Sequence, residues 1–181
     1  MKVALDAGHG ARPGHSHTGA VGNGLVEDEI ALDLVLRIGH HLRAAGCETV
    51  YTRPDSRFVP LAARGRIAKT AGAEMFLSIH CNAGPEGACG AEAFVVEGDQ
   101  RSRAIAQPLV DSIAAHGFRN REVKWDFQGH HTRLQVLRDT YRRMPAVLLE
   151  VGFLTNVHDA RLLKDRFLRE AVAKEVADQL L

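Results

Sequence analysis

The stretch "VALDAGHG", Val3 to Gly10, opens on near-continuous apolar residues and then runs into Asp6, a glycine, a histidine and another glycine. Its apolar start reads as a short buried strand over residues 2–6, because strands covered on both faces are almost uninterruptedly hydrophobic. A glycine-rich loop with Pro13 follows, and then "EDEIALDLVLRIGHHLRAAG" from Glu27. There Ile30, Leu34, Ile38 and Leu42 recur every four residues, widened by Leu32 and Val35. Acids in the first turn and Gly46 as a stop complete a helix signature. A buried strand feeding an amphipathic helix is the repeating unit of an α/β sheet.

The rest of the chain continues the pattern. "ETVYTR" (48–53) is short and β-branched and exits at Pro54. "LAARGRIAKTAGA" (61–73) reads as helix despite Gly65. "EMFLSIH" (74–80) and "GAEAFVVEG" (90–98) read as strands, and residues 101–116 as helix. The polar segment 117–133, with Trp125 and the pair His130-His131, fits no element. "LQVLR" (134–138) and "AVLLEVGF" (146–153) read as two further strands, and helices around 160–164 and 167–180 close the chain. The expectation is an α/β single domain over residues 1–181, a mostly parallel twisted sheet of about six strands with helices on both faces.

Bulk properties narrow the function. A chain of 181 residues, 45% hydrophobic, suits one domain with a proper core. With 23 basic and 22 acidic residues, a net charge of +1 offers no general attraction for nucleic acid. No apolar run approaches the roughly 20 residues of a membrane span. "MKVALDAGHG" leads straight into the first strand, so no export signal is expected in this chain. Cys47, Cys81 and Cys89 are odd in number and form no CxxC pair, which argues for reduced thiols and excludes a structural Cys₄ zinc site.

In open α/β sheets ligands sit beyond the carboxyl ends of the strands. Past those ends lie His9, His80 in "FLSIHCN" and Glu150 in "AVLLEVGF", with the first long helix starting at Glu27 on the same side. His80 interrupts an apolar run and Glu150 sits within one. A buried carboxylate needs a partner, and a cation supplies it. Two imidazoles and one carboxylate are a common set for catalytic zinc, leaving a position for water, and a nearby glutamate can take that water's proton. Glu27 has a competing explanation, since Glu27, Asp28 and Glu29 all favour a helix N-terminus through its dipole.

At this point "VALDAGHG", "GLVEDEIALDL", "YTRPD", "LAARGRIA", "FLSIHCNAG" and "PAVLLEVGFLTN" resemble, in order, motifs of the zinc-dependent N-acetylmuramoyl-L-alanine amidases of the type 3 group. The resemblance runs from residue 3 to about 180. It implies one Zn²⁺ held by His9, Glu27 and His80, with Glu150 as the catalytic glutamate, and it is the motif order that selects Glu27 over its acidic neighbours. It also implies the substrate, the peptidoglycan amide between the lactyl group of N-acetylmuramic acid and the L-alanine of the stem peptide. The chain departs from the family pattern at Ala7, where proline is usual, at Ala11, where a second glycine is, and at Lys69, where asparagine is expected. The span Gly98–Pro145 is short, so an open groove without a self-inhibitory helix, and no obligate protein partner, is the expectation.

Among other residues, Asp6 either orients a ligand or caps the loop turn, Arg64 pairs with a buried acid, and Asn82 holds a loop or meets substrate. His15, His17, His130 and His131 read as loop histidines. Cys81 points away from His80 on its strand and is excluded as a ligand. Two rivals remain: a non-catalytic peptidoglycan-binding module on the same fold, and a nucleotide binder using the glycine loop. The second is disfavoured, since "GHGARPGHSHTG" matches neither GxxxxGK[ST] nor GxGxxG. Action at the cell wall suits either a phage-type lysin or a domain of an exported bacterial protein.

Overall fold

The computed structural model describes residues 1–11, 18–128 and 133–181. In chain order the elements are β1 (Lys2–Ala7), β2 (Val21–Gly22), β3 (Leu25–Val26), α1 (Glu27–Ala44), β4 (Glu48–Tyr51), α2 (Leu61–Thr70) and β5 (Met75–Asn82). They continue as β6 (Ala91–Val95), α3 (Gln100–Ala114), β7 (Asn120–Trp125), α4 (Gln135–Arg138), β8 (Ala146–Phe153), α5 (Val157–Lys164) and α6 (Arg166–Asp178). Among the described residues one six-stranded sheet runs in the order β4-β1-β5-β8-β6-β7, and β2 and β3 form a small separate hairpin.

The sheet is parallel except at one seam, where β6 meets β8 antiparallel. β1, β5 and β8 are nearly or fully buried along their length, which is what helices on both faces require. Alternation along β5 sorts the two sides. Met75, Leu77, Ile79 and Cys81 face a large core with Leu34, Val35 and Ile38 of α1, Leu109 and Ile113 of α3, and Val172 and Val176 of α6. Phe76 faces a smaller core with Phe94, Leu148, Ala68 of α2, and Val136 and Leu137 of α4. By period-two alternation Ser78, His80 and Asn82 share the face of Phe76.

α1 forms where its apolar stripe predicts, with Ile30, Ala31, Leu34, Val35, Ile38 and Leu42 buried and three acids in its first turn. Gly46 ends it at φ +84°, a conformation glycine adopts without a steric penalty.

Two sequence expectations need correction. "LQVLR" is not a strand but the helical turn α4. The amides of Leu137 and Arg138 bond the Leu134 carbonyl, and the Thr140 hydroxyl bonds the Val136 carbonyl at 2.7 Å. Val136 and Leu137 therefore pack down on the sheet face beside α2 rather than join the sheet. The sixth strand is β7, inside the segment that fitted no element. It is an edge strand with only Val123 fully buried, so its hydrophobic alternation is faint.

Candidate metal centre

The turn after β1 is built by close contact and by two arginines. His9 itself sits at φ +61° and Gly10 at +119°. A left-handed histidine is uncommon and must be held by its surroundings. The fully buried Arg53 donates to the carbonyls of Ala7 (2.9 Å), Gly8 (2.6 Å) and Asp28 (2.7 Å). Arg64 donates to the Ala7 carbonyl at 2.6 Å and also to that of His9. Its other partners are Asp6 at 2.9 Å and the Val59 carbonyl at 2.9 Å. Asp6 in turn accepts from Thr52 at 2.5 Å and Ser78 at 2.6 Å. Asp6 thus sits beneath the turn and reaches it through Arg64.

Gly8 carries no side chain because none fits: a Cβ there would lie 2.4 Å from His80 Cε1. Gly19, at φ +93°, is equally committed, since its Cβ would lie 2.5 Å from Glu27 Oε2 and 2.8 Å from the His9 ring. The glycines of the first loop therefore let the backbone close down on three side chains.

Those side chains are His9, Glu27 and His80. Glu27 opens α1 and is 4% exposed. Its Oε2 accepts the Ala20 amide at 2.7 Å. Its Oε1 lies 3.1 Å from His9 Nε2, 2.9 Å from His80 Nδ1 and 3.1 Å from the Cys81 amide. The two rings stand edge to face with centroids 5.1 Å apart, and one donor atom from each of the three residues falls within a 4.8 Å span. Burial raises the Glu27 carboxyl, but hydrogen bonds and charge from His80 and His9 outweigh it and hold the group well below the usual carboxylate range. Two imidazole nitrogens and a buried anionic oxygen converging on one point is the donor chemistry of a divalent-metal site.

Glu150 stands opposite His80 in the β5–β8 register. It is 5% exposed, and its Oε2 has no hydrogen-bond partner among the described residues. Burial first, then the charges of Glu27 and Glu92, push its carboxyl well above the ordinary range. A cleft of about 370 Å³ is lined by His9, Glu27, His80, Asn82, Leu134 and Glu150. An unpartnered buried carboxyl oxygen beside a metal-type triad is placed to exchange a proton with something in that cleft.

Asn82 donates to Glu92 at 2.7 Å. Cys81 faces the large core, and burial pushes its thiol up. Lys69 is exposed on α2, and α3 lies on the sheet face opposite the cleft. His15, His17, His130 and His131 lie outside the described residues. Sequence reasoning missed Arg53 and Glu92. The available signals were an arginine at the exit of a β-branched strand just before Pro54, and an acid inside the otherwise apolar "AEAFVV".

The family model described as N-acetylmuramoyl-L-alanine amidase matches residues 3–181. The chain is 34% identical over 180 residues to the N-acetylmuramoyl-L-alanine amidase LytC of Bacillus subtilis (strain 168), covering 97% of the chain but only 34% of LytC's length. It is also 34% identical over 177 residues to the endolysin of Bacillus phage SPP1, covering 93% of the chain and 60% of that protein. Among solved structures, the catalytic domain of CwlV, an N-acetylmuramoyl-L-alanine amidase from Bacillus (Paenibacillus) polymyxa var. colistinus, superposes with a TM-score of 0.84 at 33% identity. That match covers 99% of this chain and 95% of the CwlV chain.

Proposed function

Since the chain belongs to the N-acetylmuramoyl-L-alanine amidase family, we propose that residues 1–181 are a catalytic domain that hydrolyses the amide between the lactyl group of N-acetylmuramic acid and the L-alanine of the peptidoglycan stem peptide. His9, Glu27 and His80 hold one Zn²⁺, and Glu150 moves the proton. The observation that carries this reading is the approach of both imidazoles to one oxygen of the buried Glu27. The donor set fits zinc, which when bound supplies a Lewis acid that polarises the scissile carbonyl and brings the pKa of a water toward neutrality.

The chain's own residues do the rest. Gly8 and Gly19 admit the ligand rings and carboxylate, and Arg53 and Arg64 fix the turn that aims His9. Glu150 Oε2 accepts the proton of the attacking water as the new C–O bond forms. It returns that proton to the alanine nitrogen as the C–N bond breaks. Glu150 lines the same cleft as the three metal-type side chains, so one carboxyl is in reach of both transfers.

The site of action in this reading is the cell wall, in either a phage-type lysin or a bacterial autolysin, and no obligate protein partner is invoked. Among the described residues no helix is long and apolar enough to cross a membrane.

The test combines metal analysis with lysis of purified cell walls. The wild type and Glu150→Ala are expected to carry about one zinc per chain and His80→Ala none. Only the wild type is expected to lyse walls, releasing peptides with a free alanine amine by mass spectrometry. Lysis surviving in Glu150→Ala overturns the role of Glu150. A zinc-loaded wild type that binds walls without cutting them makes the domain a binding module.

A further inference from the structure

A row of ionisable side chains crosses the sheet from the metal centre to its β7 edge. His80 on β5 is opposite Glu150 on β8, and Glu150 is opposite Glu92 on β6. Glu92 is 2% exposed. Its Oε1 accepts from Asn82, a wall of the catalytic cleft. Its Oε2 is shared by two cations of β7, Arg121 Nε at 2.8 Å and Lys124 Nζ. One buried carboxylate facing two cations leaves a net positive charge. Both cations are partly exposed. They line a hollow of about 300 Å³ with Arg119, Asn120 and Glu122. Lys124 also lines a neighbouring hollow with Arg103, Glu122 and Trp125, and its ammonium has donors beyond the one that meets Glu92.

The other side of the metal centre differs in character. Toward α2 and α4 the cleft continues into a hollow of about 240 Å³ walled by Phe58, Leu61, Leu134, Val136 and Leu148. The surroundings of the metal centre are thus mainly apolar toward α2 and cationic toward β7, with Glu150 on the β7 side of His80 in the strand order. If Glu150 protonates the leaving nitrogen, the leaving peptide departs over β8, β6 and β7, and the uncharged acyl side lies toward α2.

Resting on the amidase reading above, we propose that Arg121 and Lys124 form a subsite for a free carboxylate on the leaving peptide, and so set a preference for acidic over amidated stem peptides. Strands are spaced about 4.8 Å apart, which puts Glu92 about 10 Å from His80, two strands along the row. Lys124, in register with Phe94, reaches back to Glu92 with its Nζ, so the cations meet the row at that distance, or two to three residues of extended peptide at about 3.4 Å each. The residue after alanine in peptidoglycan is glutamate joined through its side chain, so its α-carboxyl is either a free acid or a carboxamide. That carboxyl falls at the right reach, and charge-assisted hydrogen bonds distinguish it sharply from an amide.

The experiment uses two soluble N-acetylmuramyl tripeptides identical except for a free acid or a carboxamide at that position. Separate kcat and KM values are measured for the wild type, Lys124→Met and Arg121→Gln. The readout is the ratio of kcat/KM for acid over amide, which is independent of how much of a variant is folded. For the wild type a ratio of about 10, expressed mainly in KM, is expected. In either variant it should fall toward 1. A wild-type ratio near 1, or a ratio above 1 that both variants retain, overturns the subsite while leaving the amidase assignment intact. Failure of zinc-loaded wild type to cut either compound removes the amidase reading and the subsite with it.

Discussion

Gly8→Ala adds one methyl group at the most crowded point of the site. A Cβ there would stand 2.4 Å from His80 Cε1 and 2.6 Å from both ring nitrogens. Ordinary contact needs about 3.4 Å or more, so ring and backbone must separate by about 1 Å. Neither has room to move. The Gly8 amide bonds the Ile79 carbonyl at 2.9 Å, and the ring is tied to Glu27 at 2.9 Å. A glycine-to-alanine change in a compatible backbone would stabilise by about 0.4–1 kcal/mol through the unfolded state. Here overpacking of about 1–3 kcal/mol opposes it and wins. The displaced ring should weaken zinc binding about 10–100-fold and reduce turnover about 100-fold. Zinc affinity is read by competition with a chromophoric chelator, stability by thermal unfolding, and turnover by wall lysis. Gly46→Ala is the control: it is strained at φ +84°, but nothing lies within 4 Å of its Cβ and it sits past the far end of α1. It should lose stability and keep its zinc affinity. A Gly8→Ala protein with wild-type zinc affinity and lysis would refute the assignment of His80 as a ligand held against that glycine.

Two further substitutions separate stability from function. Glu150→Gln removes a fully buried carboxyl whose Oε2 lacks a partner. The metal-free variant should be more stable than metal-free wild type by about 2 kcal/mol near pH 7, since an uncompensated buried charge is expensive, while lysis is lost. Because the folded carboxyl is raised above its ordinary 4.5, the penalty is full only above that raised value. The gap in Tm should therefore close as pH falls toward 4.5, and a gap that widens with acidification contradicts the burial argument. Arg64→Lys cannot serve Asp6 and the carbonyls of Val59, Ala7 and His9 with a single ammonium. A loss of about 3 kcal/mol in urea unfolding is expected, and a change under about 0.5 kcal/mol would show that the guanidinium is not what holds the turn.

The parts of the fold legible in the sequence are those where burial dominates. β1, β5 and β8 are covered on both faces, so their apolar runs leave little ambiguity. α1 shows a clean stripe because one side packs on the sheet and the other meets solvent. β7 escaped because an edge strand with one open face carries Asn, Arg, Glu and Lys, while α4 misled because four residues, only Val136 and Leu137 of them apolar, have no period to read. In the site, His9, His80 and Glu150 were legible as strand ends, whereas Glu27, one of three acids opening α1, was separated from Asp28 and Glu29 only by the order of the motifs. The supporting arginine was not legible in the same way. Arg53 acts on carbonyls of residues 7, 8 and 28, and hydrogen bonds to backbone leave no pattern of residue types to recognise.

The strand order makes one strand the keystone of the sheet. β8 lies between β5 and β6, yet among the eight strands it is the last in sequence. Among the described strands no pairing other than those of β8 links the block β4-β1-β5 to the block β6-β7. β8 pairs with β5 on one side and with β6 on the other, so the strand that closes the sheet also carries Glu150 opposite both His80 and Glu92. His9, Glu27 and His80 all precede β6 in the chain, so the candidate triad and the glutamate that faces it come from opposite sides of that join.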